Sequence, residues 1–499
     1  MAFVEVAANS DSGAYEISNS LRMNNDDSAR LTRTPSSDGN RDIWTFSCWF
    51  KKANVGETGD SQLFSCGNDG SELTTIRLRG SGDDEQIKCE NYVDSGSTSR
   101  WAITTPASYR DPAAWYHLVL AVDTTQSSIS NGLKLWINGE AISYTGTTWV
   151  QNADTSMNSD DHENVIGARQ NNNDQEFDGY MADVHFIDGA QKAASDFGET
   201  DDNGIWIPKK YTGSYGTNGF KLEYKQTGTG TASASTIGAD TSGNDNHLTS
   251  TNLTAEDICT DTPTNNFATL NPLITPFSQT NPTFSEGNCK YVTGLNQPAG
   301  VSTMAMENGK WYWEIKKGST VDNPAFGVVG SGYAEGFGTN DYGDADSTVI
   351  QAKKSYHENG DRIGYSNNGS DVYKNGSAQS YGSFDSIASG DIFMVALDMD
   401  NNKIWFGNNG TWLGSGDPAG GSNEVATLTN SSFYMRAVGS QLAAVDSPAG
   451  QDVDWEINFG NPSFSISSGN ADDNGYGNFE YDVPTGFYAL CSKNLAEQG

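Results

Sequence analysis

Apolar and polar residues alternate with a period of two along much of this chain, most clearly from Trp115 to Glu140. Tyr116, Leu118, Leu120 and Val122 form one row, and Leu133, Leu135 and Ile137 form another. Successive side chains of a strand point to opposite faces, so each row predicts a strand with one buried face. Asn138-Gly139 follows, and two adjacent residues that tolerate positive φ are the strongest short signal for a hairpin turn. The same grammar returns from Asp391 to Trp412: an alternating apolar run, a polar turn, a Lys-apolar-Trp strand and Asn-Gly. Two copies predict an all-β chain of two antiparallel β-sandwiches in tandem.

Other stretches fill in the order. Asp42 to Phe50 places Trp44, Phe46, Cys48 and Phe50 on the better core face. Leu63 to Cys66, Leu73 to Leu78, Gln86 to Cys89, Val165 to Ala168 and Phe177 to Asp188 predict further strands. The pattern then thins. Ile205 to Pro208 and Gly219 to Tyr224 still read as ordered, but Thr227 to Asp245 has little to bury and reads as a linker. Phe267 and Leu270 would anchor a connector at the domain junction. Strands resume with Gly309 to Ile315, Phe326 to Gly330, Asp361 to Tyr365, the second hairpin, Phe433 to Val438, Asp454 to Gly460 and Pro484 to Leu490. The expected division is a first sandwich over 1–203, a connector over 204–283 and a second sandwich over 284–499.

Composition narrows the partners. The 499 residues suffice for two cores, and 55 glycines with 11% aromatics suit a turn-rich β protein. A formal charge of −35 repels phosphate backbones, so no nucleic-acid partner is expected. No apolar run is long enough for a membrane span, and the first residues lack the basic start and apolar core of a secretory signal. The expectation is a soluble protein without membrane insertion. The six cysteines are scattered without a CxxC pair, which suits buried small hydrophobes better than disulfides or zinc. No cofactor is expected; calcium on Asp341, Asp344 and Asp346 is the alternative, although the twelve-residue calcium loop is lacking.

A few constellations could carry chemistry. Asp452, Asp454 and Glu456 would share one strand face at spacings of about 6.5 to 7 Å, and paired carboxylates are what glycoside hydrolysis uses. The competing reading is the polar, solvent-facing row of the strand that runs on into Ile457-Asn-Phe-Gly460. Trp136 and Trp405 fall opposite the buried rows of their hairpins. They could stack on sugar rings, with Asn138 and Asn408 bonding hydroxyls. The structural alternative, each ring packed under a neighbouring segment, is the favoured one, because large aromatics are seldom left bare. Three loops rich in Asn, Asp, Ser, Thr and Gly offer adaptable hydrogen bonding: 54–60, 95–99 and 152–162, the last with Asn158 and Asp160. Asp174, Glu176 and Asp178 read as a solvated acidic loop.

Taken in order, WTFSCWFKK, RDPAAWYHLVLAVDTTQ, LKLWINGE, FDGYMADVHFIDG and DFGE resemble a LamG-like, concanavalin A-like jelly-roll over roughly residues 15–200. They look most like the form found in virion and tail-fibre proteins of marine bacteriophages. KWYWEI, DIFMVALDMDNNKIWFGNNG, INFG and the late GFYAL resemble the blocks of a SPRY domain over about 285–491. The resemblance implies a non-enzymatic phage structural protein on the virion exterior, a tail- or fibre-associated adhesion module. Its implied partners are other virion proteins, a host surface glycan or protein, and further copies of itself. In that reading the SPRY-like part anchors and the LamG-like part faces outward. Two alternatives accompany it. One is a capsid or tail decoration without a receptor. The other is a laminarinase-type glycosidase, whose E-x-D-x-E strand the 452–456 stretch resembles except for Asp452 at the nucleophile.

Overall fold

Strands that bury alternate residues pair into sheets, and sheets with one apolar face stack on one another. The structure, a computed structural model, describes residues 15–55, 59–68, 71–80, 85–93, 98–170, 175–273, 283–293, 299–319, 324–330, 362–366, 371–374, 377–379, 387–428, 435–441 and 453–499. These residues divide into two compact units, 15–264 and 265–499.

The first unit has two eight-stranded antiparallel sheets. One runs in the order Glu140–Ala141, Leu133–Ile137, Tyr116–Asp123, Ile43–Lys52, Gly179–Asp188, Ser20–Met23, Ile258–Cys259, with Phe220–Leu222 also on Gly179–Asp188. The other runs Thr145–Trp149, Thr98–Ser108, Gln86–Val93, Glu72–Leu78, Ser61–Asn68, Glu163–Ile166, Arg30–Arg33, Thr249–Thr251. Between them lie the rows read from the sequence: Trp44, Phe46, Cys48 and Phe50 beside Leu118, Leu120, Val122, Leu133, Leu135 and Ile137. The fold is the all-β sandwich expected.

The second unit pairs a nine-stranded with a six-stranded sheet, and Lys310–Lys317, Ile392–Asp398 and Lys403–Asn408 lie side by side in the larger. Trp311, Trp313, Ile315, Phe393, Val395, Leu397, Ile404, Phe406, Trp455 and Ile457 are in its core. Phe267 and Leu270 are buried in this unit, bridging to Cys491 and Ser302.

The linker expected over Thr227 to Asp245 is instead packed into the first unit. Ile237 is fully buried in the core with Phe220, Leu222, Tyr224, Leu248 and Leu253. Backbone bonds hold the rest, among them Ile237 N–H to Gly228 O at 2.7 Å and Thr241 N–H to Lys221 O at 2.9 Å. The strands Phe220–Leu222, Thr249–Thr251 and Ile258–Cys259 complete the two sheets, so 204–264 is part of this sandwich and not a connector. A polar composition misleads here because small residues close on one isoleucine and satisfy their own backbone.

Both hairpins end in the same clamp. Asn138 and Gly139 have φ of 49° and 79°, and Asn409 and Gly410 have 46° and 79°. Asn138 Oδ1 accepts from His117 N–H at 2.7 Å, and Asn409 Oδ1 from Ile392 N–H at 2.9 Å. Each asparagine N–H donates back to the carbonyl of that same residue at 2.9 Å. The turn side chain is thus bound to a neighbouring strand.

Candidate binding site

The outward row of the first sheet of the first unit includes His117, Asp183 and His185, and it is covered. Val119 and Ile187 pack under Ala194, Phe197 and Tyr211, with Trp136, Trp206 and Tyr215 closing the cluster. His117 is stacked between Trp49, at 4.7 Å between ring centroids, and Trp206, at 6.0 Å. Its Nδ1 accepts from Trp206 Nε1–H at 3.0 Å, which leaves the imidazole proton on Nε2, 2.9 Å from Ser47 Oγ. In that tautomer His117 donates toward the serine and cannot take its proton, so the pair is no activated nucleophile. Burial, with His185 adding to it, pushes the His117 pKa down to about 3.

A second buried group lies on the same sheet. Asp183, at a bulge with φ of 45°, receives Tyr15 OH at 3.0 Å and sits 3.0 Å from His185 Nε2 and 3.4 Å from Lys221 Nζ. Burial alone would raise its carboxyl, but His185, Lys221 and the tyrosine together hold it well below the usual range. Lys51 and Asp261 form a fully buried ion pair, with Trp115 Nε1–H on the other carboxylate oxygen at 3.1 Å. These groups fasten the residues near both ends of the unit onto the sheet.

The second sheet is different. Ile87, Cys89, Trp101 and Ile103 turn into the core, so Lys88, Glu90, Ala102 and Thr104 turn outward, and the register sets Lys88 and Thr145 on either side of Thr104. A groove of about 540 Å³ runs over this face, lined among others by Arg79, Gln86, Lys88, Glu90, Thr104 and Thr145. That volume is in the range of small-ligand sites. Glu90 pairs with Lys88 at 2.6 Å and with Arg77 at 2.5 Å, and Arg77 Nε also lies 2.6 Å from the Asp60 carboxylate as an ion pair. Burial works against the ionised Glu90, yet Arg77 and Lys88 outweigh it and lower its pKa.

The residues singled out from the sequence fall elsewhere. Trp405 is fully buried, its Nε1–H on Ser422 O at 2.9 Å and its ring edge-on to Phe487. Trp136 is half-buried against the segment around Phe197 and Tyr211. Neither is an open platform, because a later part of the chain folds over each outward face. Asn138 is engaged in its clamp, and Asn408 Nδ2 donates to Asp391 at 3.3 Å. Asn158 is buried and donates to Asn40 O at 2.8 Å and Asp188 Oδ1 at 2.9 Å. Most of 152–162 is packed inward with it, so this loop is not the free surface expected. Asp160 is exposed, and the neighbouring Asp38 raises its pKa. Asp178 is buried, not solvated. Residues 56–58, 95–97, Asp174, Asp341, Asp344, Asp346 and Asp452 lie outside the described residues.

In the second unit Glu456 receives Ser463 Oγ–H at 2.7 Å, and the Asp454 carboxyl lies against Gly318, where a Cβ would come within 2.0 Å of it. Glu314 is buried and accepts from Tyr312 OH at 3.0 Å, Glu480 N–H at 3.0 Å and Tyr481 N–H at 2.8 Å. Its pKa is raised by burial, which these donors offset only in part. All six cysteines are buried. Among the described residues, no three His, Cys, Asp or Glu side chains gather as a metal site requires, and no helix is long and apolar enough to cross a membrane.

Residues 24–195 match a laminin G-type family described as the concanavalin A-like lectin/glucanases superfamily. That stretch is a LamG-like jelly-roll, the class expected from its sequence blocks. No curated protein matches the chain. Solved structures with similarity include the native heptameric SAP-like pentraxin of Limulus polyphemus, at 16% identity and TM-score 0.27, covering 36% of this chain and 80% of that one. The SPRY domain of human HERC1 is similar at 14% identity and TM-score 0.25, covering 38% and 96%. The Ruminococcus gnavus IT-sialidase CBM40 bound to alpha2,3 sialyllactose is similar at 19% identity and TM-score 0.22, covering 36% and 89%.

Proposed function

We propose that this chain is a non-enzymatic recognition protein whose first unit binds a saccharide in the groove over Gln86–Val93 and Thr98–Ser108. The observation that carries the reading is the asymmetry of that unit. The outward row of one sheet is buried under the chain's own residues 190–215, while the other sheet presents a polar groove of ligand size. Hydroxyl, amide and charged side chains on paired strands suit hydrogen bonding to sugar hydroxyls, and strands hold such groups rigidly. The match of 24–195 to a lectin and glucanase superfamily supports the same class of ligand. The tautomer of His117 supports binding over hydrolysis, since it disarms the one Ser–His pair noted on the covered sheet.

The wider setting is part of the proposal. The ordered sequence blocks support a bacteriophage virion protein, placed on the particle exterior as a tail- or fibre-associated adhesion module, with the 265–499 unit holding other virion proteins. A glycan array with the full chain, followed by Thr104→Trp to fill the groove, tests the binding reading. Binding is expected, with loss on filling; undiminished binding by the variant would place the ligand elsewhere. Labelling intact particles with an antibody to this chain tests the location.

A further inference from the structure

The groove has a charge character unlike the rest of the chain. Acidic residues outnumber basic ones by 64 to 29 overall, yet the groove is lined by Arg79 and Lys88 against one carboxylate, Glu90. That carboxylate is held from two sides, by Lys88 at 2.6 Å and by Arg77 at 2.5 Å. Arg77 is itself engaged by Asp60 at 2.6 Å and by Thr75 Oγ1 at 2.5 Å, so it acts as the counterion within the sheet. Lys88 keeps 28% of its side chain exposed and carries three N–H donors, of which Glu90 needs one. Arg79 reaches Gln86 Oε1 at 3.3 Å across the adjoining strand, which fixes its planar donor group at the groove wall. None of the lining residues is aromatic. Selection must therefore come from hydrogen bonds and charge, not from ring stacking.

We infer that the groove takes an acidic saccharide, whose carboxylate or sulfate is held directly by Arg79 and Lys88 while Thr104 and Thr145 meet its hydroxyls. This rests on the saccharide-binding reading above and narrows it. Charge-assisted bonds from ammonium and guanidinium groups are the strong ones, and no bridging metal is required. An anion there also offsets a local excess of positive charge, whereas the acidic surface elsewhere repels it. Binding should accordingly survive chelation and weaken with salt, which screens a partly exposed contact.

The test uses the full chain and three oligosaccharide probes of equal length: oligogalacturonate for carboxylate, sulfated dextran for sulfate, and plain dextran as the neutral form. Titration calorimetry is run in EDTA at low and at high sodium chloride. At least one acidic probe should bind about tenfold or more tightly than dextran. Lys88→Gln and Arg79→Gln should each weaken it by roughly fivefold to tenfold, while Lys88→Arg restores most of the loss and Lys209→Gln, at a distant exposed pair, changes nothing. Unaltered melting curves show that the variants fold. Equal binding of dextran, lowered by the groove variants, would overturn the acidic preference and leave the saccharide reading standing. Abolition by EDTA would overturn direct recognition. Binding of no probe, or binding indifferent to every groove variant, would overturn both readings.

Discussion

Trp206 Nε1 donates to His117 Nδ1 at 3.0 Å, and that bond fixes the tautomer of a fully buried imidazole. The covered sheet is thereby committed to a neutral histidine, with consequences for how the fold responds to acid.

The first prediction follows from its pKa, lowered by burial from 6.5 to about 3. Unfolded, this imidazole takes a proton below about 6.5; folded, it resists until about 3. The unfolded state therefore binds more protons across that window, so this contribution is complete above pH 6.5 and is lost as pH falls toward 3. Each unit of pH in between costs up to ~1.4 kcal/mol. Once exchange rates are divided by the intrinsic rate at each pH, the protection of amides in Tyr116–Asp123 should fall between pH 6.5 and 5 in the wild type and less so in His117→Gln. A parallel loss of protection in both proteins would assign the acid response to other groups.

The two turn clamps should be interchangeable in their energetics. Asn138→Ala and Asn409→Ala each remove a side-chain acceptor from a backbone N–H and place a β-carbon at positive φ. Each should cost about 1 to 3 kcal/mol in urea denaturation, and Asn→Gly at either site should cost less, because glycine keeps the turn. Asn408→Ala, next to the second clamp, should cost clearly less than Asn409→Ala. The reverse order would mean that the clamp does not carry the turn.

Removing one partner of the Lys51–Asp261 pair leaves a buried charge uncompensated. Lys51→Met alone should destabilise by about 3 to 5 kcal/mol, whereas Lys51→Met with Asp261→Leu should recover much of that loss. A double variant as unstable as the sum of the single changes would show that the two groups act independently.

The hairpins were legible because a period of two over ten or more residues admits one reading, and Asn-Gly allows few turns. Thr227 to Asp245 was not legible, since its order rests on a single large apolar residue, Ile237, on the buried Asp240 carboxylate and on backbone bonds to flanking segments, none of which makes a periodic pattern. Outward placement of Trp136 and Trp405 could be read from alternation; their covers could not, because Phe197, Tyr211 and Ser422 come from separate stretches. By sequence Asn138 reads as a polar group available beside Trp136, whereas its side-chain oxygen is occupied by the fold, accepting from His117 N–H. The groove residues gave a faint signal: Lys88 and Glu90 alternate with Ile87 and Cys89, a charged row on a strand with a buried face. Arg79 joins them only through the pairing of Glu72–Leu78 with Gln86–Val93.

The packed state of that glycine-rich stretch gives the last prediction. Ile237→Ala should cost roughly 2 to 4 kcal/mol, the range for emptying a closed apolar site. Limited proteolysis should spare 227–245 in the wild type and cut there in the variant. Rapid cutting of the wild type at that stretch would contradict the burial of Ile237.

Ser20 Oγ–H donates to Asp261 O at 2.6 Å across 241 positions of sequence, and Ser20–Met23 pairs with Ile258–Cys259 as neighbouring strands. Among the described residues of the first unit, the first strand is thus completed by the last. At about 5 to 20 residues per second, a ribosome would release the closing strand some 12 to 48 s after Ser20, and during that interval one edge of the nascent sheet stays open. An unpaired edge invites pairing with another chain. Crowded synthesis of many copies therefore exposes this sandwich to strand exchange, and a holding chaperone or slow translation near residue 260 would bear on its yield.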